Sequence, residues 1–320
     1  MGPVLHQRRW GSGTPVIALH PLGLDSSGFA GFGRALARRG LQTIAVDLPG
    51  FGRSPAPRTP LSPAVLAAPV ISLARKLAEP PVVVGISLGG RVALEIALRA
   101  PGTVRAVIAV APALPWLRFR FLVHIARLVD PQLAAKWVPL EYAWPLLRWL
   151  AATLEALPYL RDDEIAQAGA RLVYYLSCPA TRASFASAAR EMILEPARGS
   201  EGFWTRLEGL SVPTLFVWGE RDRLISTSFA HRVALTCPDV PQLLLPCVAH
   251  WINGPHHRCL AEAMAIVVEE LKAPGGGRWR VEAPGRVRIG AAQLETRPCV
   301  AHGAEPRRPA ATATARSEHA

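Results

Sequence analysis

Pro81-Val82-Val83-Val84-Gly85-Ile86-Ser87-Leu88-Gly89 is the stretch that decides the fold. The valine run predicts a buried strand, and the Gly-x-Ser-x-Gly pattern at its end predicts a sharp strand-to-helix turn. Glycines flank Ser87 because larger neighbours would clash in so tight a turn. The turn drives the serine hydroxyl outward, free to attack. The helix predicted over Leu88 to Arg99 carries Val92, Ile96 and Leu98 among small residues, and Pro101-Gly102 stops it. The Leu88 N–H lies in the first turn of that helix, where orphan backbone donors and the helix dipole favour a developing oxyanion. Five residues alone are a weak signal, the alternative being an ordinary glycine-rich turn with an exposed serine. The strand before Ser87 and the helix after it carry the argument.

Upstream, the apolar strand Pro15-Val16-Ile17-Ala18-Leu19 runs into His20-Pro21-Leu22-Gly23-Leu24-Asp25. A loop at the end of such a strand can supply a second oxyanion donor. On these two segments the chain resembles the α/β-hydrolase superfamily, whose corresponding loop usually reads His-Gly and then an apolar residue. Pro21 stands in place of that glycine, and since proline has no N–H the resemblance implies that the donor is the N–H of Leu22. His20 reads as a loop anchor in preference to a catalytic group. A third segment, Thr43-Ile44-Ala45-Val46-Asp47-Leu48-Pro49-Gly50-Phe51-Gly52-Arg53-Ser54, resembles the superfamily's turn after the next strand, where Asp47 shapes the loop and is structural.

A serine hydroxyl attacks only if a base takes its proton, so a histidine and a carboxylate to orient it are required. The resemblance implies the chain order Ser, acid, His. After the strand Pro213 to Trp218 comes Gly219-Glu220-Arg221-Asp222-Arg223-Leu224, in which Asp222 falls on the family's acid position. Glu220 reads as a variable loop residue, with a rescue role at most. The loop Val110 to Ala113 holds no carboxylate, so the acid position used by some relatives is empty. The strand Gln242 to Pro246 leads to Cys247-Val248-Ala249-His250, placing His250 28 residues after Asp222 with room for one helix and one strand. His250 is the matched base; Ala249 stands where the family most often has glycine.

With 320 residues, half of them hydrophobic, the chain can bury one large α/β domain with an insertion. Strands alternating with helical stretches predict an α/β-hydrolase fold: a mostly parallel sheet, helices on both faces, and a helical cap insertion. The boundaries read as core over 1–111, cap over 112–210, core again over 211–272, and a disordered tail over 273–320 that is rich in Ala, Pro, Gly and Arg. A short first strand is expected between Val4 and Trp10. The cap holds 13 of the 22 aromatic residues, including all four tyrosines, Tyr142, Tyr159, Tyr174 and Tyr175. An aromatic roof over the carboxyl ends of the strands favours an apolar substrate, although any single ring is better explained as filling the cap's own core.

The formal charge of +12 does not indicate nucleic acid: the tail alone holds 8 Arg and 4 Glu, and no basic cluster with interleaved aromatics occurs. Trp116 to Arg127 mixes rings with three arginines, a pattern suited to peripheral contact of the cap with an anionic membrane. A solvated helix face with snorkelling arginines is the preferred reading. His256, His257 and Cys259 lack metal-ligand spacing and open a last helix instead, so no metal or other cofactor is expected. Five scattered cysteines and the lack of a signal-peptide core predict reduced thiols in the cytoplasm. The expected activity is that of a serine hydrolase acting on carboxylic esters of apolar substrates, lipids among them. The same triad also serves thioesterases and C–C bond hydrolases, and a non-catalytic ligand-binding relative is the alternative from another class.

Overall fold

The computed structural model describes residues 4–115, 121–133, 173, 176, 178–222, 224–245, 250, 267–268, 279–283, 286–289 and 292–295. Seven strands, β1 (Gln7–Trp10), β2 (Thr14–Leu19), β3 (Leu41–Val46), β4 (Val82–Ile86), β5 (Ala106–Val110), β6 (Thr214–Gly219) and β7 (Gln242–Leu245), form one sheet in the order β1-β3-β2-β4-β5-β6-β7. Only the edge strand β1 runs antiparallel to its neighbour. The short first strand is therefore present.

Both faces of the central strands are buried, which explains why β4 opens on a run of three valines rather than on an alternation of apolar and polar residues. Successive side chains go to opposite layers: Val83 joins one apolar cluster, while Val82, Val84 and Ile86 join the other. The first layer is covered by α2 (Pro63–Ala74), α3 (Leu88–Arg99), α6 (Phe203–Leu207) and α7 (Ser228–Thr236), the second by α1 (Ala30–Ala37) together with Val267 and Val268. Helix α2 starts where Ser62 accepts from the Val65 N–H and Pro63 takes a position that needs no donor. Helix α3 spans Leu88–Arg99, as its sequence predicts.

Between β5 and β6 the chain forms α4 (Phe121–Leu128) and α5 (Pro179–Leu194), which pack against each other. Much of the expected cap, including Trp116, Trp137, Trp144, Trp149 and all four tyrosines, lies outside the described residues. Two rings assigned to it by sequence have a different place: Phe203 and Trp204 on α6 are buried in the main core, where Trp204 stacks on Phe229 of α7. Among the described residues no helix is long and apolar enough to cross a membrane.

The C-terminal stretch departs from expectation. Composition predicts disorder over 273–320, whereas β8 (Trp279–Ala283), β9 (Arg286–Ile289) and β10 (Ala292–Glu295) pair as an antiparallel meander. The reason is local: Trp279-Arg280-Val281-Glu282 and Arg286-Val287-Arg288-Ile289 alternate apolar and charged residues with period two. The register then pairs Trp279 with Ile289 and Val281 with Val287. An average over the tail hides that pattern.

Candidate active site

The strand order reverses between β2 and β4, since the chain steps outward from β2 to β3 and then crosses to the other side of β2. Ligands of open α/β sheets bind at the carboxyl ends of strands at such a reversal. The loops that leave β2 and β4 there are the two that the sequence singles out, His20 to Asp25 and Gly85 to Gly89.

Ser87 has φ 54° and ψ −114°, in the left-handed region that a residue with a Cβ seldom occupies. It is held there by three backbone hydrogen bonds. Its N–H donates to Val110 O (2.9 Å), and its carbonyl accepts from Arg91 N (2.9 Å) and Ala113 N (3.0 Å). The flanking glycines are obligatory for a measurable reason. A Cβ at residue 85 would sit 2.1 Å from the Gly89 carbonyl oxygen, and one at residue 89 would sit 2.2 Å from the Leu19 carbonyl oxygen. Leu88, whose N–H is an expected oxyanion donor, is the first residue of α3 and fully buried.

Leu22, the other expected donor, lies half-buried in the loop after β2. Its neighbour His20 fixes that loop: Nδ1 donates to Pro21 O (2.8 Å), and Nε2 accepts from the Leu48 N–H (2.9 Å). A carbonyl can only accept and an amide only donate, which settles the tautomer. Burial pushes the His20 pKa down, so the ring stays neutral. With both nitrogens engaged, His20 is an anchor, in line with the preferred sequence reading. Asp47 is anchored likewise, accepting from Ser26 N (2.7 Å) and Arg53 N (2.9 Å) and meeting His6 Nδ1 at 2.9 Å. Burial alone would raise its pKa, but the hydrogen bonds from Ser26 and Arg53 outweigh that and hold it below the usual range.

Asp222 follows β6, and His250 follows β7, at the same end of the sheet as Ser87. Asp222 Oδ2 lies 2.8 Å from His250 Nδ1, and Oδ1 accepts from the Leu224 and Ile225 N–H groups at 2.8 Å each. The carboxylate thus has a fixed plane and a donor on each oxygen. Its side chain is 1% exposed and that of His250 7%. An ionised carboxylate is only an acceptor, so Nδ1 carries the ring proton and Nε2 keeps its lone pair. Glu220, by contrast, is exposed, and its N–H is spent on Leu245 O.

Beside the elbow lies a cavity of about 430 Å³, walled by Leu114, Val123, Met192, Ile193, Leu194 and Glu195 among others. Among the described residues that line it, Ser87, Asp222 and His250 do not appear. Its link to them is Ala113, another wall residue, whose N–H binds the Ser87 carbonyl. Along the membrane-or-solvent stretch, Trp116 to Arg120 fall outside the described residues, while Ile125 and Arg127 of α4 are both exposed. His256, His257, Cys247, Cys259 and Cys299 also fall outside them.

One feature of the site's surroundings escapes sequence reading: a buried ionic cluster behind the elbow. Arg91, fully buried on α3, reaches Glu95 (2.7 Å) and Glu195 (2.9 Å from Nε). Arg206 of α6 holds Glu95 with two bonds of 3.0 Å, and Arg99 also bonds to Glu95. Arg91, Glu95 and Arg99 recur every four residues on a helix otherwise built for burial, and that much is visible in the sequence. Glu195 and Arg206 carry no such signal.

Comparison with known proteins agrees with this architecture. A pimeloyl-[acyl-carrier protein] methyl ester esterase from Chromobacterium violaceum is 29% identical over 262 residues, which is 81% of this chain and 96% of that protein. A 2-(acetamidomethylene)succinate hydrolase from Mesorhizobium japonicum is 28% identical over 253 residues, covering 78% of this chain and 86% of the relative. Among solved structures, a thermophilic esterase from Thermogutta terrifontis superposes with a TM-score of 0.64 at 19% identity, over 84% of this chain and 94% of that one. The profile of the alpha/beta hydrolase fold family matches residues 14–256. With that match across three quarters of its length, on a seven-stranded sheet that brings a strained serine and an Asp–His pair to one edge, the chain belongs to the α/β-hydrolase family.

Proposed function

We propose that this protein is a serine hydrolase that cleaves carboxylic esters with an apolar acyl part through an acyl-enzyme. The observation that carries the reading is the Asp222–His250 hydrogen bond of 2.8 Å, formed at the sheet edge from which Ser87 projects. It leaves His250 Nε2 as a base with a fixed direction. Ser87 Oγ attacks the ester carbonyl carbon while its proton passes to Nε2, and the C=O electron pair moves onto oxygen. Asp222 stabilises the imidazolium that results without taking its proton. The N–H groups of Leu22 and Leu88 hold the oxyanion. As the tetrahedral centre collapses, the C–O bond breaks and the alcohol leaves with the proton from Nε2. Water then attacks the acyl-enzyme, giving its proton to His250, and Ser87 Oγ leaves with it as the carboxylic acid is released. No cofactor enters the sequence of steps.

The largely apolar walls of the cavity beside the elbow, which Arg127 and Arg198 also line, support an apolar acyl group, and an esterase of methyl esters among the relatives supports ester cleavage. A fluorophosphonate probe should label the wild-type protein at Ser87, and labelling should vanish in His250→Ala. A panel of p-nitrophenyl esters of increasing acyl length, run beside acyl-CoA thioesters, reads the leaving-group class. Ser87→Ala should remove turnover with the fold retained; ester cleavage that persists in it would take Ser87 out of the mechanism.

A further inference from the structure

Helix α5 ends at Glu195, whose N–H still bonds to Glu191 O while its ψ of 126° turns the chain out of the helix toward Pro196 and Ala197. Residues 192–198 all wall the cavity. At that corner the Glu195 carboxylate faces away into the ionic cluster. Arg91 grips both of its oxygens, and Arg206 Nη2 approaches at 3.4 Å. The Phe203 ring covers the Arg91 guanidinium, with its centre 4.3 Å away. Arg91 lies one helical turn beyond Ser87, and its own N–H closes that turn on the Ser87 carbonyl. Of the five charged side chains, three stand on α3 and one on α6. Glu195 and Arg206 both lie between β5 and β6, and of the five only Glu195 also lines the cavity.

A buried ion pair adds little net stability, because desolvation offsets the attraction; its attested use is to select one arrangement over near-equals. Here the arrangement selected is the distance from the cavity wall to the nucleophile helix. We propose that Glu195 is a specificity-determining positioning residue: by locking the end of α5 onto Arg91, it fixes the cavity wall that packs against the substrate's acyl chain. This rests on the ester-hydrolase reading for the identity of the chain, and on geometry for the tether itself. The occupied carboxylate leaves the stem of Glu195 and its neighbours Leu194 and Pro196 as wall surface, which suits an apolar chain. Glutamine at 195 can offer Arg91 only one acceptor and sets an N–H₂ against a guanidinium. The corner then detaches, and the far part of a chain loses its packing.

The test uses binding as well as turnover. 11-(Dansylamino)undecanoic acid is titrated by fluorescence into the full chain carrying Ser87→Ala, with and without Glu195→Gln. The second variant should bind about tenfold more weakly, the loss of one to two methylenes' burial. With p-nitrophenyl esters, Glu195→Gln should lower kcat/KM for the decanoate about tenfold more than for the acetate, the difference falling on KM and not on kcat. Should Glu195→Gln fail to fold, Arg91→Met with Glu195→Met removes the tether while filling the space and leaves Glu95 with Arg99 and Arg206; it should show the same loss of chain-length discrimination at an unchanged melting temperature. Equal probe affinity in a folded variant, a loss of equal size on acetate and decanoate, or no binding by the Ser87→Ala protein would each overturn the proposal. Weakened probe binding in a protein that cleaves no ester would sink the hydrolase reading and leave the tether standing.

Discussion

At the scale of single residues, the site trades stability for geometry. Ser87 occupies a backbone conformation costing on the order of 1–3 kcal/mol for a residue with a Cβ, and three hydrogen bonds keep it there. Glycine has no such penalty, so Ser87→Gly should be inactive yet raise the urea midpoint by the equivalent of about 1 kcal/mol. Ser87→Ala, which keeps the Cβ, should not; equal midpoints for the two would mean that the turn is unstrained. Asp222→Asn keeps the size but offers an N–H₂ to one of its present donors, either Nδ1–H or the pair of backbone N–H groups. The imidazole then loses its tautomer, and kcat for an ester should fall on the order of 10⁴-fold with little change in KM. These positions were legible in sequence because each sits behind a recognisable apolar strand: Ser87 after β4, Asp222 after β6, His250 after β7. Glu195 was not legible, since it meets Arg91 across 104 residues and follows no strand.

At the scale of elements, α3 is the piece on which the others depend. It begins directly after Ser87, touches β2 through Gly89, and carries three of the five charges of the ionic cluster. The approach to β2 leaves no slack: a methyl group at 89 meets backbone oxygen at 2.2 Å, and β2 cannot shift without breaking its pairing with β4. Gly89→Ala should therefore destabilise by more than about 3 kcal/mol or prevent folding, whereas Gly102→Ala, with nothing within 4 Å, should be near neutral. Thermal melts of the pair separate a packing requirement from a general effect of replacing glycine. The sequence showed the helix and its limits but not its tight seat, because closeness to β2 is a property of how two elements meet. The meander at the C-terminus taught the opposite lesson: its strands were readable in the period-two alternation of Arg286-Val287-Arg288-Ile289, and averaging over a long basic segment concealed them.

At the scale of the whole molecule, buried charge sets the response to acid. Burial would raise the Glu95 carboxyl, but hydrogen bonds from Arg206 and Arg99 and the charge of Arg91 bring it from 4.5 down to about 2. The unfolded chain takes up that proton first, so the contribution is fully present above pH 4.5 and is lost as pH falls toward 2, to a total of about 3 kcal/mol. His20 acts in a higher window. Its folded pKa lies below the unfolded value of 6.5, so the unfolded state gains protons first and stability falls as pH drops below 6.5. Urea midpoints measured from pH 7.5 to 3 should decline in two stages, and Glu95→Gln, less stable at neutral pH, should show a smaller lower one, the remainder belonging to Asp47; a flat profile would contradict these assignments. A mostly parallel sheet covered on both faces followed from the alternation of strands and helices, whereas the burial of Phe203 and Trp204 in the main core did not. Trp204 also does something that no composition could reveal: its Nε1–H reaches the Pro115 carbonyl at 3.3 Å, at the point where the chain leaves the β5 loop. Departure and return are thus stitched side by side, like the two cut ends of a cassette. A longer or shorter segment spliced between those ends would leave the sheet without a tear.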